Sequence, residues 1–290
     1  MKSVKMNKLA SMFLCAAVMF LMVQISLYAQ QAGEDAAGQK KESGEMKDKI
    51  QDEDMGWRIR DFRPYVTAIK ELEKLNTEYS ENLLKLAIDE YSTGLDILED
   101  MENEVVKIRE SHKKQKNLNE RWYWQEIDRK NQQQRQIAYK KFEAKVKSVT
   151  YLTKAINYLD EVQSPEVRQD PKFNNFMSRL FQVYVSTQYD LQNFKPCIPI
   201  LERYISLSEK NKNDIWAYIY LTSCYGYMEK VLQKYKHATE DEILQFKNKK
   251  NRSMLQAVEL KYGIESPHFK HIQEQVEQDE KKSERINDFR

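Results

Sequence analysis

From Tyr65 to Ser164 the chain carries no proline and one glycine, Gly94. Proline and glycine are the residues that most readily end a helix, so without them long helices are the natural state of this stretch. Apolar residues recur through it every three or four positions on a charged background, the period of one helical face. A single helix of that length would reach roughly 150 Å, and two paired helices about half as far. Such a segment is invested in reach and surface, which points to a strut, a scaffold or a filament component.

The first stripe opens at Pro64, a residue suited to a first helical turn. It runs through Tyr65, Ile69, Leu72, Tyr79, Leu83, Leu86, Leu95, Leu98, Val105 and Ile108. Its phase slips once, near Tyr91 to Gly94, as in an interrupted coiled-coil seam. Arg109, His112, Lys113, Lys114 and Lys116 suit a helix C-terminus. Asn117 with Glu120 then resembles a capping pair. A second stripe follows through Tyr123, Ile127, Ala138, Phe142, Val146, Val149, Leu152, Ile156 and Leu159. Residues 111–119 are expected to turn, although one continuous helix satisfies the same pattern. Asn131-Gln132-Gln133-Gln134 interrupts the second stripe and should face water or a polar partner.

The flanks differ in texture. Lys2, Lys5 and Lys8 precede the apolar run Leu9–Val23, and Ser26-Leu27-Tyr28-Ala29 offers small residues before Gln30. This is the layout of a cleaved signal peptide over 1–29, with an apolar run short for a membrane span, so no stable membrane anchor is expected after cleavage. Residues 30–56 are rich in Gly, Gln, Glu, Lys and Asp and should form a flexible linker. The long helices are placed at 57–164. Beyond Pro165 the spacing shortens and aromatics rise, with candidate helices at 173–190, 194–209, 214–235, 239–262 and 266–286. A helical domain is therefore expected over 165–272, and a charged tail over 273–290 that frays.

Charge narrows the function. The chain has 47 basic and 45 acidic residues, and cleavage would remove only Lys2, Lys5 and Lys8. Near neutrality argues against nucleic acid, which calls for a basic excess. No Gly-rich phosphate loop, Gly-x-Ser-x-Gly or Cys/His nucleophile pattern is present, so no catalytic residue, cofactor or small-molecule substrate is assigned. His268 and His271 share a helical face but lack a completing ligand set, so no metal site is assigned. Cys197 and Cys224 would pair in an oxidising compartment, or pack as small buried thiols.

Two aromatic–arginine clusters mark contact surfaces. Arg121-Trp122-Tyr123-Trp124 puts three large rings on consecutive positions, about 100° apart on a helix, so they cannot share one buried stripe. A ring left outside beside an arginine is the pairing enriched at interface hot spots, unless a neighbouring part of the chain covers it. Trp57, Arg58, Arg60, Phe62 and Arg63, with Tyr65, form the second cluster. It either docks the N-terminus onto the helical domain or offers a second partner patch.

Phe194, Cys197, Leu201 and Tyr204, after Phe181 and Tyr184, resemble the helix pair of a tetratricopeptide repeat. Trp216, Tyr218, Leu221 and Tyr225 begin a degenerate second unit about 34 to 37 residues later, with a weaker echo at Ala155, Leu159 and Val162. An ordinary helical bundle would give the same spacing by chance. Stacked repeats of this kind present a concave surface to a peptide or protein.

The leader ending in Tyr28-Ala29-Gln30-Gln31, the polar linker, the charged helices over 64–164 and the repeat-like helices over 173–262 together resemble the flagellar-coiling protein A family of spirochaetes. The resemblance implies a non-enzymatic, periplasmic protein of the flagellar filament sheath, binding the filament core and other sheath proteins laterally in many copies. Its work would be to impose the filament curvature on which cell shape and motility depend. The fold expected is all-α and elongated, a long helical hairpin joined to a tetratricopeptide-like domain. The competing expectation is a soluble periplasmic adaptor of tetratricopeptide type that captures a peptide or protein in a groove.

Overall fold

The computed structural model describes residues 56–57, 59, 61–79, 82–116, 123–235 and 238–288. The expected signal peptide, nearly all of the linker, Arg58, Arg60 and residues 117–122 lie outside the described residues, and of the turn expected over 111–119 the described part, 111–116, is helical.

The fold is all-α, and the described residues hold ten helices: α1 Arg63–Tyr79, α2 Asn82–Lys116, α3 Tyr123–Glu161, α4 Pro165–Gln169, α5 Pro171–Asp190, α6 Cys197–Ser206, α7 Glu209–Lys212, α8 Ile215–Lys234, α9 Glu240–Tyr262 and α10 Pro267–Asp288. The first stripe is thus carried by two helices, divided between Tyr79 and Asn82. No slip occurs at Tyr91–Gly94, through which α2 passes unbroken. The change of face lies earlier, where Tyr79 and Leu86 point to solvent while Leu75 and Leu84 are buried.

Local chemistry explains the later boundaries. Asp170 caps α5 by accepting from the Lys172 N–H, with Pro171 in the first turn. Gln192 takes a positive φ of 57° after α5, and the Asn193 N–H reaches back to the Gln188 carbonyl, closing the helix in a Schellman-like turn. Asp214 caps α8, and Thr239 with Glu242 forms a full capping box on α9. Gly263, at φ 80°, ends α9 where a residue with a Cβ would be strained. α10 continues to Asp288 and buries Val276.

The core is one cluster that reaches from Tyr65 on α1 to Tyr225 on α8. Its centre is α5, which buries Phe173, Phe176, Met177, Leu180, Phe181, Val183, Tyr184 and Val185, together with the polar Ser178, Gln182, Thr187 and Gln188. It packs on α1 and α3 on one side and on α6 on the other. Each large side chain enclosed this way contributes about 1.5–3 kcal/mol. Phe176 meets Tyr91 of α2 edge to face at 5.0 Å.

Helices α2 and α3 lie antiparallel, as cross-pairs progressing in opposite directions show: Glu90 with Lys154, Gly94 with Ser148, Glu102 with Lys141, Glu104 with Lys140, and the Ile108 carbonyl with Gln133. The seam is dry near Leu95, Leu98, Leu152 and Ile156 and turns polar beyond Val105. Gly94 sits at its closest approach. The Ser148 hydroxyl donates to the Gly94 carbonyl at 2.8 Å, and a Cβ on residue 94 would stand 3.1 Å from Leu152 Cδ2. Gly94→Leu is therefore expected to destabilise the protein by about 1–3 kcal/mol through overpacking, outweighing a helix-propensity gain of about 1 kcal/mol. Urea unfolding measures this, and an unchanged midpoint would refute the tight contact.

Candidate assembly surface

The segment before α1 is fastened at its aromatic residue. The Trp57 backbone N–H donates to the Tyr220 hydroxyl at 3.0 Å, and its indole N–H donates to Asp214 Oδ2 at 3.1 Å. The indole lies against Tyr204 and Tyr220 with ring centroids 4.8 and 5.1 Å away. Gly56 makes this possible: at φ 96° a side chain would be strained, and a Cβ there would fall 2.3 Å from the Tyr220 hydroxyl. Ile59 and Phe62 pack against the same core. A cavity of about 480 Å³ remains beside them, with Trp57, Phe62, Met101, Tyr189 and Trp216 in its walls.

Asp214 is the junction of this region. Its Oδ1 accepts from the Trp216 N–H as the α8 cap, while Oδ2 accepts from both Trp57 and the Tyr204 hydroxyl, the latter at 2.7 Å. Gln182 donates to Tyr204, and Arg179 donates to Gln182, so a polar chain runs from the interior of α5 to Trp57. Burial, together with the Asp214 hydrogen bond, pushes the Tyr204 hydroxyl well above its ordinary pKa. Burial pushes Tyr220 up to about 12, against the opposing hydrogen bond from Trp57.

The remaining residues expected at contact surfaces are placed as follows. Arg63 is exposed and forms a two-pronged ion pair with Asp61, whose carboxyl is held below its usual pKa by those hydrogen bonds. Tyr123 opens α3 and Trp124 follows it, but neither side chain is among those described, and Arg121 and Trp122 lie outside the described residues. Trp57 and Phe62 face inward, leaving Arg63 as the outward member of the first cluster that can be placed.

A different apolar surface comes into view on α3. Tyr139, Phe142 and Val146 are 65%, 50% and 44% exposed and share one face at helical spacing. The sequence pattern places Phe142 and Val146 in the buried stripe. The face toward α2 instead takes Lys140, Lys141, Ala144 and Ser148, and the apolar trio stands outside. The excess of apolar positions over those one neighbouring helix can cover was the available signal. Ion pairs frame the trio: Glu102–Lys141, Glu104–Lys140, Glu143–Lys147 and Lys145–Asp190. Surface pairs of this kind stabilise weakly but keep the helices soluble between contacts.

The described thiols and imidazoles have ordinary surroundings. Cys197 and Cys224 are free, buried thiols, and contact with the Cys224 thiol plus burial pushes Cys197 up. His268 lies against the Tyr262 ring, and His271 meets Gln275 at 3.0 Å. Among the described residues no helix is long and apolar enough to cross a membrane.

The all-helical fold, the paired long helices and the exposed stripe accord with a protein that works through surfaces. No curated protein matches the chain. The FcpA family model, that of flagellar coiling protein A, matches residues 22–285. The chain belongs to the FcpA family, whose general role is that of a flagellar coiling protein.

Proposed function

We propose that this protein is a non-enzymatic structural component of the periplasmic flagellar sheath, exported by its leader and bound laterally to the filament core and to other sheath proteins. Family membership supplies the flagellar context. The observation that carries the attachment is the Tyr139–Phe142–Val146 stripe on α3, an apolar face that nothing in the described chain covers. An isolated stripe of three side chains is a weak contact. Repeated in many copies along a polymer it becomes a stable one, because each bound copy raises the effective concentration for the next. Curvature would then follow from sheath proteins placed on one side of the filament.

Sedimentation is the direct test. When flagella are stripped of outer membrane and pelleted, the protein is expected in the pellet with the filament. Recovery as a free monomer in the supernatant would overturn the proposal. A second reading, a tetratricopeptide-like adaptor that captures a peptide, draws on an open groove beside Arg179, lined by α5 and the turn between α6 and α7.

A further inference from the structure

Helix α5 and the turn between α6 and α7 enclose an open groove of about 340 Å³, at the small end of the range for ligand sites (roughly 300–1,000 Å³). Its polar lining includes Asn174, Asn175, Ser178, Arg179, Lys210 and Asn211, and among the described residues no carboxylate lines it. That is notable in a chain with 45 acidic residues.

Arg179 is half-buried in the groove wall. One of its N–H groups donates to Gln182 Oε1 at 3.1 Å, and the guanidinium lies 5.8 Å from the centre of the Tyr65 ring. Among the described residues no carboxylate pairs with it, and none pairs with Lys210. The carboxylates at the edge of the groove hold other partners, and Asp214 reaches Arg179 only through Tyr204 and Gln182. Glu71 accepts from Asn175 at 2.9 Å, Glu209 pairs with Lys212 at 3.6 Å, and Asp170 caps α5. The hydroxyls around Arg179 supply no countercharge, since burial pushes Tyr65, Tyr91 and Tyr204 upward and keeps them neutral. The wall is rigid as well: Asn211 Nδ2 donates to the Ser178 hydroxyl at 2.7 Å and to the Tyr204 carbonyl at 3.0 Å, and Ser178 donates to the Asn174 carbonyl at 2.7 Å.

A partly desolvated guanidinium without a counter-ion is an unfinished electrostatic arrangement. Its planar fork suits a carboxylate, which can take two parallel N–H bonds, and Lys210 adds a second positive charge at the rim. We infer that this groove is a recognition site for a carboxylate on a protein segment, either an acidic side chain or a free C-terminus, with Arg179 as its anchor. The inference does not depend on attachment to the filament.

Fluorescence polarisation with the full chain and three labelled peptides tests it. One peptide carries an Asp-Glu pair and an amidated end, one a free C-terminus without acidic side chains, and one neither carboxylate. Binding of the first or second above the third is expected, and which one binds identifies the carboxylate's source. Arg179→Gln should weaken that binding roughly tenfold or more, the scale of lost hydrogen bonds to a charged group. Arg179→Lys should restore only part of it. Lys210→Glu, at the exposed rim, gives a second variant with little risk to folding and should also weaken binding. Equal binding of all three peptides, or acidic-peptide binding unaltered in folded Arg179→Gln and Lys210→Glu proteins, would overturn the inference.

Discussion

A protein carrying Tyr139→Glu and Phe142→Glu is expected to melt like the unaltered chain, yet to remain in the supernatant when stripped flagellar filaments are pelleted. Both rings are at least half exposed, so their replacement exposes no core and leaves no cavity. Solvent-facing substitutions of this kind shift stability by about 0.5 kcal/mol or less. Glutamate suits a helix slightly better than an aromatic residue, although a carboxylate at position 139 would stand one turn from Glu143, where repulsion costs a few tenths of a kcal/mol. At an interface the arithmetic differs. An aromatic anchor removed from the centre of a contact costs about 2 kcal/mol or more, roughly thirtyfold in affinity. Placing a charge against an apolar partner adds a desolvation penalty. Because attachment is multivalent, the loss recurs at every copy and the bound fraction should collapse. Circular dichroism melts and pelleting, read together, decide the matter. Retention in the pellet at the unaltered level would remove the stripe from the assembly surface, and a large fall in melting temperature would make it part of the fold.

That stripe shows how far periodicity carries and where it stops. A recurrence of three and four defines a face of a helix but not what covers it. In α3 Leu152, Ala155, Ile156 and Leu159 are buried, while Phe142 and Val146, earlier in the same pattern, are outside. The difference is made by α2, which offers Glu102 and Glu104 at that level and draws Lys141 and Lys140 into the seam. Punctuation residues were more informative. Asp214, Thr239 and Pro267 carry their meaning locally, and the expected helices 214–235, 239–262 and 266–286 match α8, α9 and α10 to within about two residues, the usual uncertainty of helix ends. Gly94 misled because a glycine inside a helical pattern has two physical uses, to break the helix or to admit a neighbour. Only the position of Ser148 and Leu152 distinguishes them. Trp57 could be read as a dock or as a partner patch, because its acceptors are more than 150 positions away in the chain, at Asp214 and Tyr220. The same holds for Arg179: a missing counter-ion is a property of the folded neighbourhood and leaves no trace in spacing.

Asp214→Ala should be among the most damaging single substitutions available outside the apolar core, at about 3–5 kcal/mol. One carboxylate serves three donors, and alanine serves none. Loss of the Trp216 N–H bond uncaps α8, which costs about 1 kcal/mol. The Tyr204 hydroxyl, buried between α5 and α8, loses the acceptor for its proton, and the Trp57 indole loses its own. Each donor left unsatisfied in a buried setting costs about 1–3 kcal/mol. For a chain of this size the sum lowers the melting temperature by roughly 10 °C, taking about 2–4 °C per kcal/mol. Asp214→Asn keeps an acceptor for the cap and one for the rings, so it should lose much less. A double-mutant cycle isolates the strap. In a Trp57→Phe background, which retains an aromatic ring but has no indole N–H, the penalty of Asp214→Ala should shrink by about 0.5 kcal/mol or more, the coupling expected of residues in contact. Additivity of the two changes would show that Trp57 rests on Asp214 without drawing stability from it. A loss below about 1 kcal/mol for Asp214→Ala would mean that water replaces the carboxylate, and that the chain from Arg179 through Gln182, Tyr204 and Asp214 to Trp57 does not hold the N-terminal segment to the core.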